Sequence, residues 1–253
     1  MELSEWMPWY EKIAQRLHLS REEDQGATDF LSSLLKEDAL TPEEVRARIS
    51  GKVVIVFGAG PSLANDLKRL LEISLLEKYC LMTADGATTA LIKIGKKFPD
   101  VIATDLDGRV EDQIEASRRG SVVIVHAHGD NVPALAEYVP RLGNRIGSTQ
   151  VEPRPYVYNF GGFTDGDRAA FLAVELGARA LVLAGMDFGH VVGEYSKPDA
   201  HASQMKKIKL EIGLELLAWL STRARIPLYN VTERGVPIQG FRKVSPEELT
   251  TLL

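Results

Sequence analysis

The 253-residue chain contains a single cysteine, Cys80. No internal disulfide can form, which sets aside disulfide-stapled secreted folds and points to a reducing cytoplasm. Cys80 closes the stretch LLEKYC, where a small buried thiol is the expected role. Long apolar runs are missing as well: none approaches the roughly 18–20 residues needed to span a bilayer. The opening MELSEWMPWYEK carries acids where a secretion signal carries a basic region, and no signal-length apolar stretch follows. There is no excess of positive charge either. Thirty basic residues against 35 acidic ones give a net charge of −5, which speaks against a nucleic-acid binder built on a broad cationic face. An anionic small molecule remains compatible with that balance, because a bound cation can supply the missing charge. Fixed-period repeats and low-complexity linkers are absent too. What is present, 45% hydrophobic and 26% charged residues, suits a globular chain long enough to bury a substantial core.

Two regions are expected. Residues 1–50 read as a helical N-terminal segment. WMPWYEKIAQRLHL and DFLSSLLKED space apolar residues for one helical face, and Thr41, Pro42 and Glu44 form a capping box with proline at the first helical position. Trp6, Trp9 and Tyr10 are expected to pack in a core, with a homodimer surface as the other use of these aromatics. From Gly51 to residue 253 the pattern is α/β. KVVIVF, CLMTAD, DVIATD, SVVIVHA, VYNF and RALVLAGM are short apolar runs of the kind that form strands buried on both faces, and helical patterns separate them. The expected fold is an open, mostly parallel, Rossmann-like sheet with helices on both faces. HASQMKKIKLEIGLELLAWLSTRA then reads as an amphipathic helix whose Lys206, Lys207 and Lys209 form a solvated face. A strand (PLYNVT) and a short capped helix (SPEEL) close the chain.

Ligands of parallel α/β sheets bind beyond the carboxyl ends of the strands, so the residues that follow each strand carry the functional information. Gly58-Ala59-Gly60-Pro61-Ser62 is a glycine turn that opens a helix, either a phosphate cradle or a tight turn with no ligand. Asp85, Asp105, Asp107, Asp130 and Asp187 follow other strands. Asp105 and Asp107 are two apart and share a side if the strand persists. Carboxylates crowded at one sheet edge repel each other, and a divalent cation relieves that repulsion. All-oxygen ligands from Asp85, Asp105, Asp107 and Asp130 point to Mg²⁺. A rival lies in His126-x-His128-x-Asp130, which resembles the zinc-binding opening of metallo-β-lactamase-like hydrolases.

Taken together, TADGATTALIKIGKKFPDVIATDLDG and NFGGFTDGDRAAFLA resemble two signature segments of thiamine pyrophosphokinase, with Thr104, Gly108 and Gly166 departing from that pattern. VFGAGPSL, TADGATTAL, DVIATDLDG, VHAHGDN, FGGFTDGDRA, LAGMDFG and YSKP together are more similar to the archaeal 6-hydroxymethyl-7,8-dihydropterin pyrophosphokinase family. That resemblance implies a thiamine-pyrophosphokinase-like core. It also implies Mg²⁺-dependent transfer of diphosphate from ATP to the pterin hydroxymethyl group, with release of AMP, in tetrahydromethanopterin- or folate-type pterin biosynthesis. It gives Asp105, Asp107 and Asp130 as Mg²⁺ ligands, and Asp85 as a fourth ligand or as the base. Gly58, Gly60 and Ser62 would line the cleft, while Gly129 and Asn131 would meet a phosphate or sugar. Asp165, Asp167 and Arg168 would hold nucleotide or pterin, with helix capping as the alternative for Asp165. Asp187 is a pterin candidate, and Arg109 and Lys197 are either phosphate contacts or surface charge. The expected partners are small molecules, with no nucleic acid and no membrane. The competing readings are a thiamine or other acceptor, a non-catalytic nucleotide-binding protein or a domain of the related family attached to glycan-modifying proteins, and the zinc hydrolase.

Overall fold

Each apolar run forms a strand, and all but the one at Val157–Tyr158, which lies at the sheet edge, are flanked by strands on both sides. A computed structural model of the protein describes residues 1–35, 39–188 and 203–253. The YSKP segment, with Lys197, lies outside the described residues. Three helices come first: α1 (Leu3–Leu17), α2 (Arg21–Leu34) and α3 (Pro42–Ile49). The α/β part begins with β1 (Val53–Phe57), α4 (Leu63–Glu72), β2 (Cys80–Ala84), α5 (Ala87–Ala90) and β3 (Val101–Thr104). It continues through α6 (Val110–Arg118), β4 (Val122–Ala127), α7 (Val132–Tyr138), β5 (Arg145–Thr149) and β6 (Val157–Tyr158). The chain ends with α8 (Asp165–Glu175), β7 (Ala180–Ala184), α9 (Ser203–Arg223), β8 (Leu228–Asn230), β9 (Arg242–Lys243) and α10 (Pro246–Leu252).

The described strands form one nine-stranded sheet in the order β6-β5-β4-β3-β2-β1-β7-β8-β9. Every strand pair in it is parallel. The expected open parallel sheet is therefore observed. The chain steps outward from β1 to β6, returns across the sheet, and continues on the far side of β1. In open α/β sheets such a reversal marks the carboxyl ends of the neighbouring strands as the place where ligands bind.

Side chains alternate across the sheet with the period of two that strands impose. Val54 and Val56 join a layer with α1, α3, α8 and α9, while Val53, Ile55 and Phe57 pack with Leu63, Leu67 and Leu70 of α4. Burial of each such side chain contributes about 1.5–3 kcal/mol. On the first of these faces α1 and α3 share one core with α8 and α9. The Trp6 indole N–H donates to the Gln150 carbonyl at 2.8 Å, and the Tyr10 hydroxyl donates to Asp24 at 2.8 Å. Trp9 packs on Trp219 with ring centroids 5.3 Å apart. The aromatics that suggested a homodimer surface are thus used within the chain. Cys80 is buried, and burial pushes its thiol up to about 12, consistent with an inert core residue. Among the described residues, no helix is long and apolar enough to cross a membrane.

Candidate active site

Three carboxylates from three elements converge at the carboxyl edge of the sheet. Asp85 follows β2, Asp105 follows β3, and Asp165 opens α8, which packs across β1, β2, β3 and β7. One oxygen from each lies within 4.8 Å of the others. Asp85 turns the chain with a φ of 33°, and its N–H continues the ladder to the Ala103 carbonyl at 2.8 Å. Its Oδ1 accepts from the Thr104 hydroxyl and from the Gln113 amide, each at 2.7 Å. Gly108 lies against the same carboxylate, so closely that a β-carbon there would sit 2.2 Å from Asp85 Oδ2.

The electrostatics follow from this crowding. Burial, then the charges of Asp105 and Asp107, push the Asp85 carboxyl up to about 7. Burial and the charges of Asp105 and Asp85 raise Asp165 well above the carboxylate range. Burial pushes Asp105 upward too, but hydrogen bonds from His128 and Asp107 and the charges of His128 and Lys209 outweigh it and leave Asp105 lowered. Asp105 Oδ1 is buried without a hydrogen-bond partner. Mutually repelling, oxygen-only ligands with an orphaned carboxylate oxygen suit a hard divalent cation such as Mg²⁺.

Two residues expected to be ligands stand apart from this group. The strand ends at Thr104, and Leu106 adopts a φ of 65° with its side chain buried. That turn breaks the period of two, so Asp107 emerges exposed at the rim and bonds to Asp105 rather than joining the cluster. Asp130 is exposed on a short 3₁₀ turn and also lies outside the group. Its neighbours are committed to structure. The Gly129 N–H donates to Asp24 at 2.9 Å, and a β-carbon at Gly129 would press on Glu23 at 2.8 Å. The Asn131 amide donates to the carbonyls of Asp105 (2.9 Å) and His126 (2.7 Å) and accepts from the His128 N–H (3.1 Å). Asn131 thus ties two strand ends together instead of orienting a phosphate.

Helix capping falls to Asp167, not to Asp165. The buried Asp167 carboxylate accepts from the N–H groups of Phe163 and Thr164 and from the Thr164 hydroxyl, which leaves it unsuited to hold nucleotide. The glycine turn after β1 is tight and closed by bonds within the chain. Its Gly58 and Gly60 N–H groups donate to the carbonyls of Ala184 and Gly185, both at 2.9 Å. A β-carbon at Gly58 would meet Met186 Sδ at 2.4 Å, and one at Gly60 would meet Asp187 at 2.1 Å. The Ser62 hydroxyl and N–H both donate to Asp187. These residues staple the β1 and β7 loops together, so the N–H groups of Gly58, Gly60 and Ser62 and the Asp187 carboxylate that were expected to meet a ligand are engaged within the chain. Arg109 is exposed and pairs with Asp112 at 3.5 Å, as surface charge.

Other side chains enter the site without having been expected there. His128 Nε2 lies 3.5 Å from Asp105 Oδ2. The zinc set does not assemble, since His126 is buried with Nδ1 3.2 Å from Ser148 Oγ and Asp130 is exposed. Lys206 is half-buried with the Asp107 charge acting on it, and the charge of Lys209 reaches Asp105. Two of the three lysines assigned to a solvated face therefore overlook the acidic group. Their three-residue spacing on α9 was the available signal.

Comparisons with known proteins agree with one another. A family profile described as 6-hydroxymethylpterin diphosphokinase MptE-like matches residues 31–193. A 6-hydroxymethyl-7,8-dihydropterin pyrophosphokinase of Methanothermobacter thermautotrophicus is 48% identical over 226 residues, covering 87% of this chain and 95% of that protein. Its counterpart of the same name in Pyrococcus furiosus is 46% identical, covering 89% of this chain and 96% of that protein. The one in Methanocaldococcus jannaschii is 38% identical, covering 89% and 98%. In fold, the chain is similar to a MAf glycosyltransferase from Magnetospirillum magneticum, with a TM-score of 0.54 and 16% identity, over 87% of this chain and 39% of that one. By extent and by identity, the chain belongs to the MptE-like 6-hydroxymethylpterin diphosphokinase family.

Proposed function

We propose that the protein transfers diphosphate from ATP to the hydroxymethyl group of 6-hydroxymethyl-7,8-dihydropterin, giving AMP and the pterin diphosphate. The convergence of Asp85, Asp105 and Asp165 at the strand ends, in a chain of this family, carries the reading. These three carboxylates would hold Mg²⁺, whose charge offsets that of the triphosphate. With Asp85 Oδ1 occupied by Thr104 and Gln113, Oδ2 is the oxygen available to the ion. The pterin oxygen attacks the β-phosphorus, the bond to the α-phosphate oxygen breaks, and AMP departs with that oxygen. The hydroxyl proton leaves to solvent at the rim, where Asp107 is exposed. His128 holds Asp105 in its ionised form. Little covalent chemistry is asked of the protein, so positioning and charge carry the rate.

Incubation with ATP, Mg²⁺ and the pterin alcohol, followed by nucleotide chromatography, tests the proposal. AMP in step with pterin diphosphate is the expected result, and ADP or no turnover counts against it. Replacing the pterin with thiamine decides between acceptors.

A further inference from the structure

Beside Asp105 lies a set of buried polar groups whose hydrogen bonds are incomplete. Thr104 pairs with Val125 in the β3–β4 register, so the next step along the strands brings Asp105 beside His126, and His126 in turn pairs with Ser148 of β5. Asp105 shares the parity of Val101 and Ala103, and His126 that of Val122 and Ile124; all four apolar residues face the layer that holds α8. Arg168 is three residues after Asp165 on α8, and so lies on the same side of that helix. Arg168 is 1% exposed, and its charge acts on Asp165, Asp105 and His126.

The hydrogen-bond accounts of this group do not close. Arg168 Nη2 donates to the Phe163 carbonyl at 2.8 Å, but Nε and Nη1 have no partner. His126 Nε2 is also unpartnered. In the tautomer in which the Ser148 hydroxyl donates to Nδ1 at 3.2 Å, the hydrogen is on Nε2, and the Gln150 side chain is the group of the chain that acts on the ring as an acceptor. All three orphans are then donors. Two nearby carboxylates are committed by hydrogen bonds, Asp24 to Tyr10, Gln150 and Gly129 and Asp167 to the capping box, and the other two, Asp105 and Asp165, belong to the group proposed to hold the cation. A buried donor without an acceptor is costly, and a buried guanidinium more so. An acceptor from outside the chain would complete the set.

We propose that Arg168 and His126 form a subsite for a phosphoryl oxygen directly beside the acidic group. The inference rests on the proposed function for the identity of its ligand, the diphosphate portion of ATP. A planar guanidinium with two free donor nitrogens matches the geometry of phosphate oxygens, which the compact ammonium of lysine cannot reproduce. In this arrangement the polyphosphate is held from two sides, by cation-bearing carboxylates and by neutral or positive donors.

Calorimetric titration of inorganic pyrophosphate, in the presence of Mg²⁺, tests the subsite without any pterin. Arg168→Lys should weaken pyrophosphate and ATP binding by about tenfold or more. AMP affinity, apoprotein Mn²⁺ affinity and the melting temperature should stay near their original values. Unchanged pyrophosphate affinity, with Mn²⁺ affinity or melting temperature lowered, would overturn the proposal and leave Arg168 as a counter-charge beside a water-filled chamber. Should Arg168→Lys fail to fold, His126→Gln and His126→Leu decide. Gln keeps a donor and should retain pyrophosphate binding, whereas Leu should lose it; equal binding in both refutes the subsite, as does absence of pyrophosphate binding by the unaltered protein. Failure of the pterin assay with Arg168-dependent pyrophosphate binding would sink the acceptor assignment alone. AMP production with Arg168-independent binding would sink the subsite alone.

Discussion

Asp85 and Asp105 sit at the ends of adjacent strands, yet their carboxyl groups are pushed in opposite directions, and cation binding should inherit the difference. Asp85 is raised to about 7, so protonation disables it as a ligand as the pH falls through neutrality. Mn²⁺ affinity, followed by electron paramagnetic resonance, should decline below about pH 7, and Asp85→Asn should leave a weaker affinity with a shallower decline, the remainder coming from the raised Asp165 carboxyl. Asp105→Ala and Asp165→Ala should each lower kcat/KM about a thousandfold or more while leaving the circular dichroism spectrum unchanged. Asp130→Ala should change it by no more than about threefold, since its side chain stands clear of the cluster. Without a cation, ionising Asp165 beside Asp85 and Asp105 is costly, so Asp165→Asn should raise the melting temperature of the apoprotein by a few degrees at alkaline pH and by less at neutral pH. The strand-end positions of Asp85 and Asp105 were legible in the sequence. The place of Asp165 beside them was not legible, because an acid in the first turn of a helix equally suggests capping or dipole compensation. Asp107 was misplaced because nothing in DLDG announces that Leu106 takes a left-handed conformation.

At the scale of elements, a second polar cluster joins α4 to the loops after β7 and β8. The buried Asp66 carboxylate accepts from the N–H groups of Gly185 at 2.9 Å and Glu233 at 3.0 Å. Asp66→Ala should cost about 2–4 kcal/mol in urea unfolding, the loss of two buried acceptor contacts. Burial raises the Asp66 carboxyl to about 6. The folded state therefore binds this proton more tightly than the unfolded state, and stability from this group is greatest at low pH and declines as pH rises from about 4 to 6. The decline amounts to about 3 kcal/mol, and the difference in unfolding free energy between the unaltered protein and Asp66→Asn across that range measures it. None of this was legible in FGAGPSL. A glycine turn after a strand looks alike whether its N–H groups face a phosphate or the carbonyls of Ala184 and Gly185, more than 120 residues away in sequence.

For the whole molecule, alternation of apolar runs and helical patterns was enough to foresee the parallel sheet, because strands buried on both faces must be apolar throughout. Strand order was not foreseeable: crossover spacing does not reveal where the chain turns back. The boundary near residue 50 is visible in the sequence, but α1 and α3 bury Trp6, Tyr10, Val45 and Ile49 in the layer shared with α8 and α9. A chain beginning at Gly51 should therefore be insoluble or lack a cooperative melt, and Trp6→Ala alone should cost about 3–5 kcal/mol in denaturant unfolding.

The return crossover from β6 to β7 gives the acidic group a history. Asp85 and Asp105 belong to the outward wing of the sheet, laid down first in synthesis, whereas Asp165 arrives only when the chain doubles back along α8. An ion held by all three would act as a rivet through that return pass. It could not be gripped until the second wing had docked, and once gripped it would resist the peeling of α8 from the strands beneath.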